Sequence, residues 1–266
     1  AYSDQAARRA FPGAATVPYR TFEGAFSALE NGDVDLAVIP IDNTLAGRVA
    51  DVHHILPESG VHIIGETFLR INHALVAVPG TKIEDIKEIH SHVHALGQCR
   101  KIRKELGVNA VVGPDTAGCA KEVADRGDKS IAAIAPALAA EIYGLDILRT
   151  EVEDAAHNTT RFIVLAREPL NIANDGTPVV TSFVFRVRNV AAALYKALGG
   201  FATNGINMTK LESYMVEGHF TEVEAHPEQL GLRHALEELQ FFSHEVRILG
   251  VYPAHSFRKE NNLPAE

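Results

Sequence analysis

Short apolar runs alternate with stretches of helical period over the first two thirds of the chain. VDLAVIPI (Val34–Ile41), VHIIGET (Val61–Thr67), HALVAVP (His73–Pro79), VNAVVG (Val108–Gly113), SIAAIA (Ser130–Ala135) and RFIVLA (Arg161–Ala166) read as strands. Between them, Phe22–Gly32, Ala95–Gly107 and Ala117–Gly127 have helical spacing and each closes on a glycine. Ala135–Leu145 is a further, alanine-rich helix. Alternation of this kind predicts an α/β fold with mostly parallel strands covered by helices.

The pattern changes after Arg167. Residues 169–180 carry prolines and an Asn-Asp-Gly turn without a period, which predicts a linker. Beyond it come a half-buried strand (Thr181–Val187), a helix (Val190–Gly205), two strands (Ile206–Tyr214 and Gly218–His226), a helix opened by Pro227, and a last strand (His244–Pro253). The order βαββαβ is the ferredoxin-like unit, with two helices on one face of an antiparallel sheet. Residues 256–266 are expected to fray.

A length of 266 residues favours two domains over one. The formal net charge of −9 argues against a nucleic-acid partner, which needs a basic face. No apolar run is long enough to span a bilayer, so no membrane partner is expected. The chain opens on what reads as a helix entrance rather than on Met, so residues upstream are expected. Two cysteines, Cys99 and Cys119, cannot form a disulfide framework and suggest reduced thiols in the cytoplasm.

Candidate chemistry gathers where strands end. In HNTTRFIVLA (His157–Ala166) two threonines and an arginine stand at the mouth of a buried strand. In VIPIDNTLAGRV (Val38–Val49) Asn43 and Thr44 follow a strand and precede an expected helix, whose cap would offer N–H groups to an anion. Thr116 in GPDTAGCA stands at a similar cap, and Ser3 lies near the first helix start. Plain capping explains each of these equally well in isolation. His90, His92 and His94 would suit a metal only if His90 and His94 shared a helix face, and no spacing completes a ligand set. There is no phosphate loop, dinucleotide fingerprint or nucleophile elbow. Hydroxyls, amides and one arginine are groups that hold a small dianion without a cofactor.

Taken together, AYSDQAA, IPIDNTLAGRV, HSHVHALGQC, GPDTAG and NTTRF, in this order, resemble the motifs of prephenate dehydratases. The βαββαβ unit with GINMTKLESY resembles the ACT domain that follows in that family. The resemblance implies a two-lobed catalytic domain over 1–168, folded like a type II periplasmic binding protein. One lobe would span about 1–70 plus 150–168, the other about 71–149. Residues 169–180 would be the linker, 181–255 the regulatory ACT domain and 256–266 the tail. The site would lie in the cleft between lobes, and the reaction would convert prephenate to phenylpyruvate, water and carbon dioxide on the route to phenylalanine. Thr160 would be the essential catalytic residue. Arg161 would either pair with a substrate carboxylate or support the loop as a structural cation. Ser3, Asn43, Thr44, Gln98, Thr116, Thr159 and Phe162 would bind substrate, with no metal or cofactor.

The resemblance also implies L-phenylalanine as effector, held through Leu194, Asn207, Glu212 and Ser213, and a homodimer or homotetramer. This chain departs from the family pattern in places. Thr44 replaces a serine, Ala192-Ala193-Leu194 stands for Gly-Ala-Leu, and Glu212-Ser213-Tyr214-Met215 stands for Glu-Ser-Arg-Pro. Other readings are arogenate dehydratase, which performs the same elimination on the aminated substrate, a solute-binding protein, and an amino-acid sensor without turnover.

Overall fold

The structure, a computed structural model, describes residues 2–155, 157–214 and 218–261. Helices α1 (Tyr2–Ala10) and α2 (Phe22–Asn31) precede β1 (Ala37–Asn43), the short β2 (Gly47–Arg48), α3 (Ala50–Glu58) and β3 (His62–Arg70). Next come β4 (Ala74–Ala77), β5 (Glu88–Ser91), α4 (Val93–Gln98), α5 (Arg100–Leu106) and β6 (Asn109–Val112). They are followed by α6 (Thr116–Arg126), β7 (Ile131–Ala135), α7 (Ala137–Tyr143), β8 (Asp146–Arg149) and β9 (Thr159–Ala166). The chain closes with β10 (Val179–Val187), α8 (Ala193–Thr203), β11 (Met208–Tyr214), β12 (Gly218–Val223), α9 (Leu230–Phe242), β13 (Ser243–Pro253) and α10 (Ser256–Asn261).

Packing divides these elements into two compact units: residues 1–14, 42–47 and 69–160, and residues 15–41, 48–68 and 161–266. The division falls within β1 and β9, whose ends carrying Asn43 and Thr160 belong to the first unit.

The first unit is built on a five-stranded sheet in the order β6-β5-β7-β4-β8. Its inner strands β4 and β7 are buried on both faces, one against α6 and α7 and the other against α4 and α5. The sheet is mixed, where mostly parallel strands were expected. β5 runs parallel to β6 and β7, whereas β4 is antiparallel to β7 and β8. The parallel pairings lie in the stretch where helices make the crossovers; β4 follows β3 directly, without such a helix. Two strands escape a pattern reading. β5 is Glu-Ile-His-Ser and β8 is Asp-Ile-Leu-Arg, both too short and polar to stand out. The single helix expected over Ala95–Gly107 is broken at Cys99, which takes φ −121° and ψ 45°.

The second unit joins a four-stranded sheet, β2-β1-β9-β3, to the C-terminal sheet β11-β12-β10-β13. β10 pairs antiparallel with β12 and β13, and β11 with β12, so the βαββαβ topology is as expected. One face of the C-terminal sheet packs on α8 and α9 through Phe183, Phe185, Phe201 and Leu232. The other contributes Val180, Val184, Phe220, Leu249 and Tyr252 to a core shared with Leu29, Ile39, Ile41, Leu56, Ile63 and Ile163. Gly250 marks the close approach: a Cβ there would lie 2.0 Å from the Ile63 carbonyl oxygen.

Residues 256–261 do not fray but form α10, because Arg258 is drawn inward by buried carboxylates. Its Nε donates to Glu66 Oε1 at 2.6 Å and its Nη2 to Glu222 Oε2 at 3.1 Å. Met215, in the altered effector motif, and residues 262–266 of the tail lie outside the described residues. Among the described residues no helix is long and apolar enough to cross a membrane.

Candidate active site

Asn43 ends β1, and no helix follows it directly. Its side chain makes an Asx turn instead, with Oδ1 accepting from the backbone N–H groups of Leu45 (3.0 Å) and Ala46 (2.8 Å). α3 begins only at Ala50, after Gly47 has turned the chain at φ +79°. The turn points the Asn43 amide nitrogen at the start of β9. There it donates to Thr160 Oγ1 at 2.9 Å and to Asn158 Oδ1 at 2.8 Å.

Thr44 fastens the same two segments. Its N–H donates to the Thr159 carbonyl at 2.9 Å, and its hydroxyl donates to the His157 carbonyl while accepting from Thr159 N–H. Thr44 is therefore a staple rather than an open hydroxyl. Thr160 is half-buried, and the described residues offer its hydroxyl hydrogen no acceptor.

The network continues inward. Asn158, 1% exposed, donates from Nδ2 to Gln98 Oε1 at 2.9 Å. Gln98 ends α4 at the Cys99 break, where its carbonyl accepts from Asp154 N–H at 2.7 Å. Asp154 also accepts from the Arg100 and Lys101 N–H groups at the start of α5. Gln98 Oε1 further meets His73 Nε2 at 3.1 Å, and His73 Nδ1 meets the Tyr2 hydroxyl at 2.9 Å. Burial lowers the His73 pKa from its ordinary 6.5, with Gln98 and Glu153 opposing, so the ring is neutral at neutral pH. Burial likewise lifts the Tyr2 phenol far above its ordinary range, so it keeps its proton.

Arg161 follows Thr160 in the chain, but the residue is only 7% exposed and lies in the second unit. It donates from Nε to Glu66 (2.7 Å), from both terminal nitrogens to Glu222 (2.8 Å each), and from Nη2 also to the Tyr252 hydroxyl (2.9 Å). Burial works against the Glu222 carboxylate, yet Arg161 and Arg258 hold its pKa below the ordinary value. Two arginines and two glutamates thus neutralise one another. Of the two roles open to Arg161, the geometry supports the structural cation.

Other expected residues separate in the same way. Ser3 sits in the first turn of α1, in the first unit with Asn43, Gln98, Thr159 and Thr160. Thr116 is the first residue of α6, but the cap is Asp115, whose carboxylate accepts from Ala117 and Gly118 N–H at 2.9 Å. Phe162 is 1% exposed within a run of buried strand residues, so its ring presents no surface to a ligand. His90 is on β5 and His94 on α4, which removes the shared helix face a metal would have used. Sequence reasoning passed over His73, Asn158, Tyr2 and Asp115.

At the expected effector positions, Glu212 pairs with Lys210 (3.2 Å) and Arg48 (3.6 Å). The Ser213 hydroxyl lies 2.9 Å from His219 Nδ1. Leu194 packs into the helix-covered core, and Asn207 is exposed.

Comparison with known proteins identifies the family. The prephenate dehydratase family model matches residues 1–170. A bifunctional N-acyl-homoserine lactone acylase/prephenate dehydratase of Komagataeibacter europaeus is 50% identical over 98% of this chain and 95% of its own. Arogenate dehydratase/prephenate dehydratase 1 of Arabidopsis thaliana is 40% identical over 95% of this chain and 69% of its own. Among solved structures, the prephenate dehydratase of Arthrobacter aurescens in complex with L-Phe has a TM-score of 0.86 at 28% identity, covering 100% of this chain and 89% of that one. GqqA, a quorum-quenching acylase, has a TM-score of 0.90 at 50% identity, covering 97% and 96%. Motifs, α/β fold and relatives converge: this chain belongs to the prephenate dehydratase family.

Proposed function

We propose that the chain is a prephenate dehydratase in which Thr160 donates a hydrogen bond to the departing oxygen. In the reaction the ring carboxylate leaves as carbon dioxide and its bonding pair enters the ring. The carbon–oxygen bond across the ring breaks, and the oxygen departs with that bond's pair. It takes up one proton to become water, and the ring becomes aromatic phenylpyruvate. Expelling the oxygen is the demanding step, and a placed proton donor typically supplies about 10²–10⁴-fold. The observation that carries this reading is the Asn43–Thr160 hydrogen bond: Thr160 Oγ1 is an acceptor within the protein, which leaves its proton to a bound group.

With Arg161 engaged by Glu66 and Glu222, the carboxylates of the substrate fall to hydroxyls and backbone N–H groups of the first unit, with Ser3, Thr116 and Thr159 the candidates. The chemistry needs no metal or cofactor. L-Phenylalanine is the proposed effector, acting on the C-terminal module as an ACT domain through the Glu212–Ser213 strand, in a homodimer or homotetramer. The L-Phe complex of the 28% identical relative supports L-phenylalanine as the effector.

Arogenate is the competing substrate, favoured by the 40% identical plant relative whose name carries both activities. Incubating the protein with each acid separates the two: phenylpyruvate from prephenate is expected, whereas phenylalanine formed from arogenate alone would reverse the assignment. Adding an N-acyl-homoserine lactone to the same assay tests for the acylase activity named for the 50% identical relative.

A further inference from the structure

We infer that His73 is a positioning residue for Thr160, joined to it by a hydrogen-bond chain whose direction is set from its Asn43 end. The inference rests on the proposed role of Thr160 as a donor. Its direction is set by backbone groups that cannot be reversed. The N–H groups of Leu45 and Ala46 require the Asn43 oxygen, so the nitrogen of that amide must face Asn158 and Thr160. The Asn158 atom receiving it must then be oxygen, which leaves nitrogen toward Gln98. The Gln98 atom is in turn oxygen, and a neutral His73 can approach it only with its single N–H on Nε2. Nδ1 is thereby a bare acceptor, and the Tyr2 hydroxyl, 2.9 Å from both this nitrogen and the Asn72 carbonyl, must turn its one proton to Nδ1.

Every member is oriented by its neighbour, so the backbone at residues 45 and 46 dictates the tautomer of a ring three side chains away. The same polarity makes Thr160 Oγ1 an acceptor toward Asn43 and its proton available outward. His73 closes the far end. Without its N–H, Gln98 loses one of two donors and gains freedom to rotate, and the constraint on Asn158 and Asn43 loosens.

An isosteric exchange reverses the chain. Asn43→Asp keeps an oxygen for Leu45 and Ala46 but presents a second oxygen to Asn158 and Thr160. Asn158 and Gln98 must then flip, the Gln98 nitrogen faces His73, and His73 moves its proton to Nδ1, which the Tyr2 oxygen accepts while Tyr2 donates to the Asn72 carbonyl. Ring ¹⁵N NMR on histidine-labelled full-length protein at neutral pH reads this without any turnover. We expect His73 to be protonated on Nε2 in the natural chain and on Nδ1 in Asn43→Asp. An Nδ1–H tautomer in the natural chain, or an unchanged one in a folded Asn43→Asp, overturns the inference.

A kinetic pair covers the case in which Asn43→Asp does not fold. Glutamine places an amide nitrogen near the position of Nε2, and asparagine does not. Loss of one neutral hydrogen bond corresponds to about tenfold, so His73→Asn is expected to lower kcat by about tenfold with KM little changed, and His73→Gln to recover most of it. Equal losses in both variants would mean that His73 only fills space. Absence of turnover in the natural protein would defeat the proposed function while leaving the tautomer result standing.

Discussion

Ala192 adopts φ 59°, a left-handed backbone, at the position where the family pattern has glycine. The Cβ costs roughly 1–2 kcal/mol in that region. Ala192→Gly is therefore expected to stabilise the protein by about 1 kcal/mol despite glycine's greater freedom when unfolded. A rise in the urea midpoint checks this, and a fall would show that the strain is absorbed elsewhere. Thr160, Asn43 and Thr44 were legible because polar residues clustered at an apolar strand end stand out. His73 and Tyr2 were not: each joins the network through a partner 25 or 71 residues away in sequence, and neither has a local motif. Arg161 misled for a related reason. Its neighbours in sequence are the site residues, but its partners are carboxylates 95 and 61 residues distant.

Among elements, strands and helices with a clear period emerged at nearly their expected places, including all six elements of the C-terminal unit. The polar strands β5 and β8 and the break between α4 and α5 did not, since pairing and the Asp154 cap decide them rather than local pattern. α10 depends on tertiary charge in the same way. Arg258→Met removes one cation from a buried set of two arginines and two glutamates, an imbalance typically costing about 3–5 kcal/mol. Thermal unfolding is expected to shift down accordingly, and an unchanged Tm would make the helix a surface ornament.

Acid sensitivity belongs at this scale too. The folded His73 pKa lies below its ordinary 6.5, so the unfolded chain binds more protons there and stability falls as pH drops below about 6.5. Glu222, with its folded pKa below the ordinary 4.5, adds a second loss as pH falls below that value. His73→Gln is expected to flatten the first loss only, measured as Tm from pH 7 to 5. An unaltered slope would place the acid-sensitive group elsewhere.

For the whole molecule, the C-terminal βαββαβ sheet is not an appendage on a linker. Its Val180, Val184, Phe220, Leu249 and Tyr252 complete the core around Ile39, Ile41, Ile63 and Ile163, and Gly250 permits backbone approach to Ile63. Element order made the topology readable from sequence. The shared core was not readable, because a buried strand face looks the same whichever partner covers it. A chain ending at residue 178 would bare the apolar side of the β2-β1-β9-β3 sheet, and is expected to be insoluble or partly unfolded by circular dichroism. A soluble, cooperatively folding fragment would contradict the shared core. The same continuity places Glu222, on β12, in direct ion-pair contact with the residue that follows Thr160.

Catalysis, as proposed, turns on one proton on the Thr160 hydroxyl. Steady-state conversion of prephenate to phenylpyruvate by Thr160→Val, which keeps the shape and removes the donor, tests it most directly. In Thr160→Val kcat is expected to fall about 10²–10⁴-fold, with Thr160→Ser retaining most of the rate. A Thr160→Val protein that turns over prephenate at close to the natural rate would contradict it.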